Sequence, residues 1–146
     1  MEELDPLLLK NQLCFPIYAL AREITKAYTP FLEEIDLTYT QYVTMMVMWE
    51  RQEISFKELG EILFLDSGTL TPVIKNLEKK GFVTKERSKE DERTVNVTIT
   101  KAGNDLKTKA KEVPHKMVCA YQLPQEDGMQ LYTLVYKLLN KLSENK

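Results

Sequence analysis

The stretch "SFKELGEILFLDSGTLTPVIKNLEKKG", residues 55–81, limits what this chain can fold into more than any other. Ser55 followed three positions later by Glu58 has the chemistry of a helix start: a hydroxyl that accepts from a first-turn N–H and a carboxylate that can reach back. Leu59, Ile62 and Leu63 then recur at helical spacing. "FLDSG" interrupts the pattern and brings in Asp66 and Ser67, residue types that begin helices. A second helix runs on to Gly81, with Leu70, Val73 or Ile74, and Leu77 turned inward. Pro72 either bends this helix or marks its start, with Thr71 as the cap. Its outer face keeps Gly68, Thr69, Thr71, Lys75, Asn76 and Lys79, all small, hydroxylated, amide or basic.

Beyond Gly81 the period changes to two. "FVTKERS" and "TVNVTIT" are strand-like, the second with Val95, Val97 and Ile99 on one face, and the charged "KEDER" joins them. Two short helices followed by a long-looped hairpin is the order of a winged helix-turn-helix. In that arrangement the second helix enters the major groove and the hairpin loop is the wing.

This core takes up residues 38–100 or so of the 146, and the flanks are apolar helices. Residues 7–34 read as one helix with Leu13, Ile17, Leu20, Ile24 and Phe31 along it. Pro16 has no N–H to bond back to Gln12, so that helix begins near Cys14 or bends there. "QYVTMMVMWE", capped by Thr38 or Thr40, is apolar nearly all round and reads as buried, its methionines Met45, Met46 and Met48 as core. Thr100 caps a lysine-rich helix interrupted at Pro114, and Pro124 opens a last helix striped with Leu131, Leu134, Val135, Leu138 and Leu142. The first and last helices, within 1–37 and 101–146, have too little core to cover their apolar faces. A homodimer interface is the simplest use for them, and it suits a two-fold DNA site. The expected fold is therefore mainly α with a small β-hairpin, one domain over 1–146, a winged helix-turn-helix with dimerisation helices on either side.

Charge qualifies the DNA reading. The net charge is −2 and the pI about 5.6, whereas nucleic-acid domains are often basic. The wing is balanced, with Lys85, Arg87, Lys89 and Arg93 set against Glu86, Glu90, Asp91 and Glu92. Binding cannot rest on wing charge alone. Helix N-terminal amides, the hydroxyls of Ser67, Thr69 and Thr71, and Lys75 and Lys79 are expected to supply phosphate contacts. Arg93 is the candidate minor-groove arginine, with Asp91 orienting it across the wing. No apolar run reaches the ~18 to 20 residues of a membrane span. "MEELDPLLLK" is acidic rather than the basic start of a secretory signal, so a cytoplasmic protein is expected. Cys14 and Cys119 lie far apart, neither in a CxxC, and His115 is the only histidine. Reduced thiols are expected, with no metal and no cofactor.

Taken as a whole, the chain resembles the MarR family of transcriptional regulators. The residues that carry the resemblance are "LTYTQYVTMMVMWE", "ELGEILFLDSGTLTPVIKNLEKKGFVTKERSKEDERTVNVTIT" and the "TKAG" that completes it, including Arg87, Asp91 and Arg93 in the wing. Within the family, "NQLCFPIYALAREITKAYTP" with "LTYTQY" and "LDSGTLTP" resembles the OhrR-type sensors of organic hydroperoxides. That resemblance implies a repressor rather than an enzyme, with pseudo-palindromic double-stranded operator DNA as partner. It implies that Cys14 is the oxidised thiol and that Tyr28 and Tyr39 hydrogen-bond to it. It also implies that Cys119, in "VPHKMVCAYQL", forms a disulfide with Cys14 of the partner subunit.

Physical chemistry fits these roles. Thiols react with peroxides as thiolates, and a free cysteine with pKa about 8.5 is mostly protonated at neutral pH. Phenol donors aimed at the sulfur favour the anion without a nearby positive charge. Apolar neighbours such as Phe15, Ile17 and Met46 would favour a greasy peroxide. Isolated from its context, Cys14 would read as a small core residue and the tyrosines as filler. Three other readings compete: a MarR-type regulator of the same build answering to a small aromatic ligand with Cys14 inert, a thiol peroxidase, and a helical adaptor. The wing disfavours the last.

Overall fold

The computed structural model describes residues 5–144. Within them, seven α-helices and three short strands succeed one another: α1 (Cys14–Glu33), α2 (Tyr39–Arg51), β1 (Glu53–Ser55), α3 (Phe56–Leu63), α4 (Ser67–Lys79), β2 (Val83–Arg87), β3 (Val95–Ile99), α5 (Lys101–Ala110), α6 (Glu112–Tyr121) and α7 (Gln125–Glu144). Chain contacts divide these into two compact units, one ending at Val113 and one starting at Pro114.

Prolines set several boundaries. The expected helix over 7–34 begins only at Cys14, and a single 3-10 turn over Leu9–Asn11 precedes it. Starting there puts Pro16 in the first turn, where its missing N–H costs no hydrogen bond. Pro30, by contrast, lies inside α1, which continues past it to Glu33. The lysine-rich helix stops at Ala110, ahead of Pro114. Ala110 is the residue whose carbonyl a proline at 114 would clash with and leave unbonded. Pro114 then falls in the first turn of α6.

Side-chain caps settle the other helix starts. Thr38, not Thr40, caps α2 in a full capping box with Gln41. Ser55 Oγ accepts from the Glu58 N–H at 3.1 Å, but the Glu58 carboxylate turns to Arg51 instead of closing the box. Asp66 caps α4 by accepting from the Thr69 N–H at 2.7 Å. Thr71 is therefore not a cap: its hydroxyl donates to the Ser67 carbonyl and the helix runs through Pro72. Gly81, at φ 81, turns the chain out of α4.

The hairpin gains a third strand that its sequence does not announce. The sheet order is β1-β3-β2, all antiparallel, with Ile54 opposite Val97 and Lys85 opposite Val97 from the other side. Val97 is fully buried. One core joins Leu32, Ile35 and Leu37 at the α1–α2 corner to Met45 and Met48 of α2, Leu59 of α3, Leu70, Ile74 and Leu77 of α4, and Leu106 of α5. Met46, expected inside, is 47% exposed.

Thr100 and Gly103 lock α5 onto this core. The Thr100 hydroxyl accepts from the Gly103 N–H and donates to the Gly81 carbonyl. A Cβ at Gly103 would lie 2.3 Å from the Phe82 carbonyl oxygen, so only glycine fits this crossing. The Trp49 indole N–H donates to the Gly103 carbonyl at 2.8 Å.

The apolar side chains at the start of α1 are uncovered: Leu13 is 71% exposed, and Phe15, Ile17 and Leu20 lie outside too. In the second unit, Leu131, Leu134, Val135, Leu138 and Leu142 of α7 are also exposed, and Tyr132 packs on Tyr136 at 4.6 Å between ring centroids.

Candidate nucleic-acid interface and thiol site

On α4 the sequence pattern translates directly into faces. Leu70, Ile74 and Leu77 are buried, and Ser67, Thr69, Thr71, Lys75 and Lys79 are exposed. Ser67, Thr71, Lys75 and Lys79 are spaced by four, so they form one stripe along the outside of the helix. Its hydroxylated end is the helix N-terminus and its basic end the C-terminus, where the lysine charges complement the helix dipole.

The wing is a turn built by two side chains. Ser88 Oγ accepts from the Glu90 and Asp91 N–H groups. Asp91 Oδ1 accepts from the backbone N–H of Arg93 at 3.0 Å, and Asp91 Oδ2 accepts from the Thr94 hydroxyl. Asp91 thus shapes the backbone that carries Arg93. Arg93 itself is exposed at the tip. Arg87 lines a hollow with Glu53, Glu86, Lys89 and Glu90, so carboxylates offset its field there.

The predicted thiol site comes apart in a single chain. Cys14 is the first residue of α1 and is exposed. Tyr28 lies 14 positions further along the same helix, which is roughly 21 Å at 1.5 Å per residue. Tyr28 and Tyr39 do meet, with ring centroids 5.0 Å apart. Tyr42, which sequence reasoning passed over, completes the cluster at 5.8 Å from Tyr28 and 6.4 Å from Tyr39. Burial pushes the Tyr42 phenol above its ordinary pKa, and Tyr39 adds to the shift. The missed signal was the spacing of three between Tyr39 and Tyr42, which puts both on one face of α2. Tyr18 was also passed over. It lies one turn beyond Cys14 on the same face of α1, with the Arg22 guanidinium 5.6 Å from its ring centre. Cys119 is exposed on α6, in the second unit. Among the described residues, no group of three His, Cys, Asp or Glu side chains could hold a metal ion. Nor is any described helix long and apolar enough to cross a membrane.

The model of the SarA/Rot transcriptional regulators matches residues 26–110. The organic hydroperoxide resistance transcriptional regulator of Bacillus subtilis (strain 168) is 43% identical over 140 residues, which are 96% of this chain and 95% of that protein. The chain belongs to the MarR/SarA family of transcriptional regulators. This regulator also resembles solved structures of AbfR, a Staphylococcus epidermidis protein. Against reduced AbfR bound to DNA the TM-score is 0.76 at 31% identity, over 92% of this chain and 93% of that one. Against the disulfide form of AbfR it is 0.64 at 32% identity, over 89% and 92%.

Proposed function

We propose that this regulator is a homodimeric repressor that holds operator DNA when reduced and releases it when an organic hydroperoxide oxidises Cys14. The observation that carries the reading is the separation of Cys14 from Tyr28 along α1, at whose far end Tyr28 meets Tyr39 of α2. A single chain cannot bring these groups together, while a second copy covering the exposed apolar start of α1 can. The thiol site is then made at the dimer interface, from Cys14 of one subunit and the tyrosine cluster of the other. The 43% identical relative is a hydroperoxide resistance regulator, which supports the choice of oxidant. AbfR, 31–32% identical, has been solved reduced and bound to DNA and in a disulfide form, which supports a DNA-binding redox sensor.

Chemically, the Cys14 thiolate attacks the outer peroxide oxygen. An S–O bond forms, the O–O bond breaks, and the alkoxide leaves as alcohol after taking a proton. Cys14 becomes a sulfenic acid. The Cys119 thiol of the other subunit then attacks that sulfur, forming the disulfide and expelling water. A disulfide needs Cα atoms within roughly 4.4 to 6.8 Å, so closing a longer reduced separation moves α1 of one subunit against α6 of the other, and the α4 stripes of the dimer shift with them. Displacement from a half-site spacing of roughly 34 Å ends operator binding. The protein acts once per oxidation as a sensor, not as an enzyme, and works in the cytoplasm.

On the DNA side, Ser67, Thr69, Thr71, Lys75 and Lys79 of α4 serve phosphates and base edges, and Arg87, Asp91 and Arg93 serve the wing contact. The deciding test is a gel-shift titration of the DNA upstream of the protein's own gene with reduced protein and with protein treated with cumene hydroperoxide. Reduced protein is expected to shift the DNA and treated protein to release it. Equal binding by both forms would reject redox sensing.

A further inference from the structure

The recognition helix ends in a side chain that reaches beyond its own element. Lys80, the C-cap of α4, donates from Nζ to Gln41 Oε1 at 3.1 Å and to the Asp36 carbonyl, and pairs with the Asp36 carboxylate at 3.6 Å. Asp36, at φ 54, makes the turn from α1 to α2. Gln41 is buried, and its Oε1 already accepts from the Thr38 N–H at 3.1 Å as half of the α2 capping box. A single oxygen therefore serves the first turn of α2 and the end of α4 together. Tyr39 lies within that turn, its ring packed on Tyr28 and near Tyr42. The ring cluster and the Lys80 clasp thus grip the same turn of α2.

We propose that Lys80 is a positioning residue for the redox response: it carries a displacement of the first turn of α2 to the recognition helix. Leu70, Ile74 and Leu77 attach α4 to the core through apolar packing, which is non-directional. Hydrogen bonds converging on one buried oxygen are directional, so they move with the turn. The charge of Lys80 also suits a helix C-terminus, but that contribution is the same in both redox states. The inference rests on the proposed function, since it concerns how Tyr28 and Tyr39 at the thiol site reach α4.

The test compares wild type, Lys80→Met, Lys80→Arg and Asp36→Asn. For each, operator affinity is measured reduced and after cumene hydroperoxide, alongside the rate of Cys14 thiol loss and the melting temperature. Lys80→Met is expected to lose Cys14 thiol at the wild-type rate. Its ratio of reduced to oxidised affinity is expected to shrink by at least about fivefold. Lys80→Arg should keep most of the ratio. Asp36→Asn, a residue that tolerates the left-handed backbone, keeps the carbonyl acceptor and loses the ion pair, so its ratio should be intermediate. If Lys80→Met weakens affinity equally in both states and leaves the ratio at the wild-type value, Lys80 is a structural staple and the proposal is wrong. If Lys80→Met does not fold, an unchanged ratio in Asp36→Asn overturns it. A wild type whose affinity ignores oxidation fails at a different point: it removes the proposed function, and with it the response Lys80 would carry.

Discussion

Cys14 and Tyr28 stand on one unbroken helix, 14 positions and roughly 21 Å apart, so neither can serve the other within a protomer. Tyr28 is instead committed to Tyr39, 5.0 Å away across the α1–α2 corner. A sensor assembled from these residues has to be shared between subunits. On the proposed function its chemistry is expected to depend on dimerisation, with the exposed Leu13, Ile17 and Leu20 expected at the same interface.

Mixed dimers test this arrangement directly. Tyr28→Phe and Tyr39→Phe are each expected to slow the reaction of Cys14 with cumene hydroperoxide about tenfold, the worth of one hydrogen bond to a charged group. In a heterodimer, pair one chain carrying Cys14→Ser with another carrying Tyr28→Phe. The only remaining Cys14 then faces an intact Tyr28 across the interface and should react at the wild-type rate. Placing both substitutions in one chain, opposite a wild-type partner, should give the slow rate. The opposite pattern would place the tyrosine and thiol in the same subunit.

Arg93→Ala is expected to weaken operator binding by roughly 1 to 3 kcal/mol at fixed salt. Arg93 is exposed, and Asp91 holds the turn through the Arg93 backbone N–H, which alanine keeps. The melting temperature should stay put. Arg87→Ala should cost less, because Glu53, Glu86 and Glu90 share its hollow. Wild-type affinity in Arg93→Ala would remove the wing from the interface.

Gly103→Ala tests the packing that seats α5. The added Cβ would meet the Phe82 carbonyl oxygen at 2.3 Å and Ile99 Cγ1 at 2.7 Å. The first is backbone and cannot rotate away. Overpacking of this kind costs roughly 1 to 3 kcal/mol, and at about 2 to 4 °C per kcal/mol for a chain of this size the melting temperature should fall measurably. An unchanged melting temperature would mean that α5 re-seats freely.

How much the sequence discloses depends on how local each signal is. The helix-turn-helix was legible because Ser55, Asp66 and Gly81 act on their own neighbours, and because Leu70, Ile74 and Leu77 repeat within one helix. β1 was not: three residues with only Ile54 buried cannot show an alternation, and the strand exists because β3 offers it an edge. Pro16 was ambiguous until the helix start was known, since the same proline is harmless in a first turn and disruptive later. The roles of Tyr28 and Tyr39 came from resemblance, whereas their contact depends on how α1 packs on α2, which no local pattern encodes. The Lys80 clasp was hidden for the same reason. A lysine before a glycine reads as ordinary helix-end charge, and its acceptors lie some 40 positions earlier.

The two cysteines separate the first oxidation from disulfide formation. Cys14→Ser should bind operator as the reduced wild type does and ignore peroxide, since a hydroxyl cannot enter the thiol oxidation series. Cys119→Ser should still lose its Cys14 thiol on treatment, because that step needs only the one sulfur. Its product should then persist as sulfenic acid, be trapped by a small thiol, or oxidise further. Treated wild type should run as a covalent dimer on a non-reducing gel and revert with dithiothreitol, while Cys119→Ser should run as a monomer throughout. The difference is sharp because Cys14 and Cys119 are the chain's only thiols. Digestion of the oxidised dimer should yield one cross-linked peptide joining Cys14 to Cys119. If treated wild type stays monomeric on that gel and no such peptide is found, Cys119 is a bystander, and release of operator must come from modification of Cys14 alone.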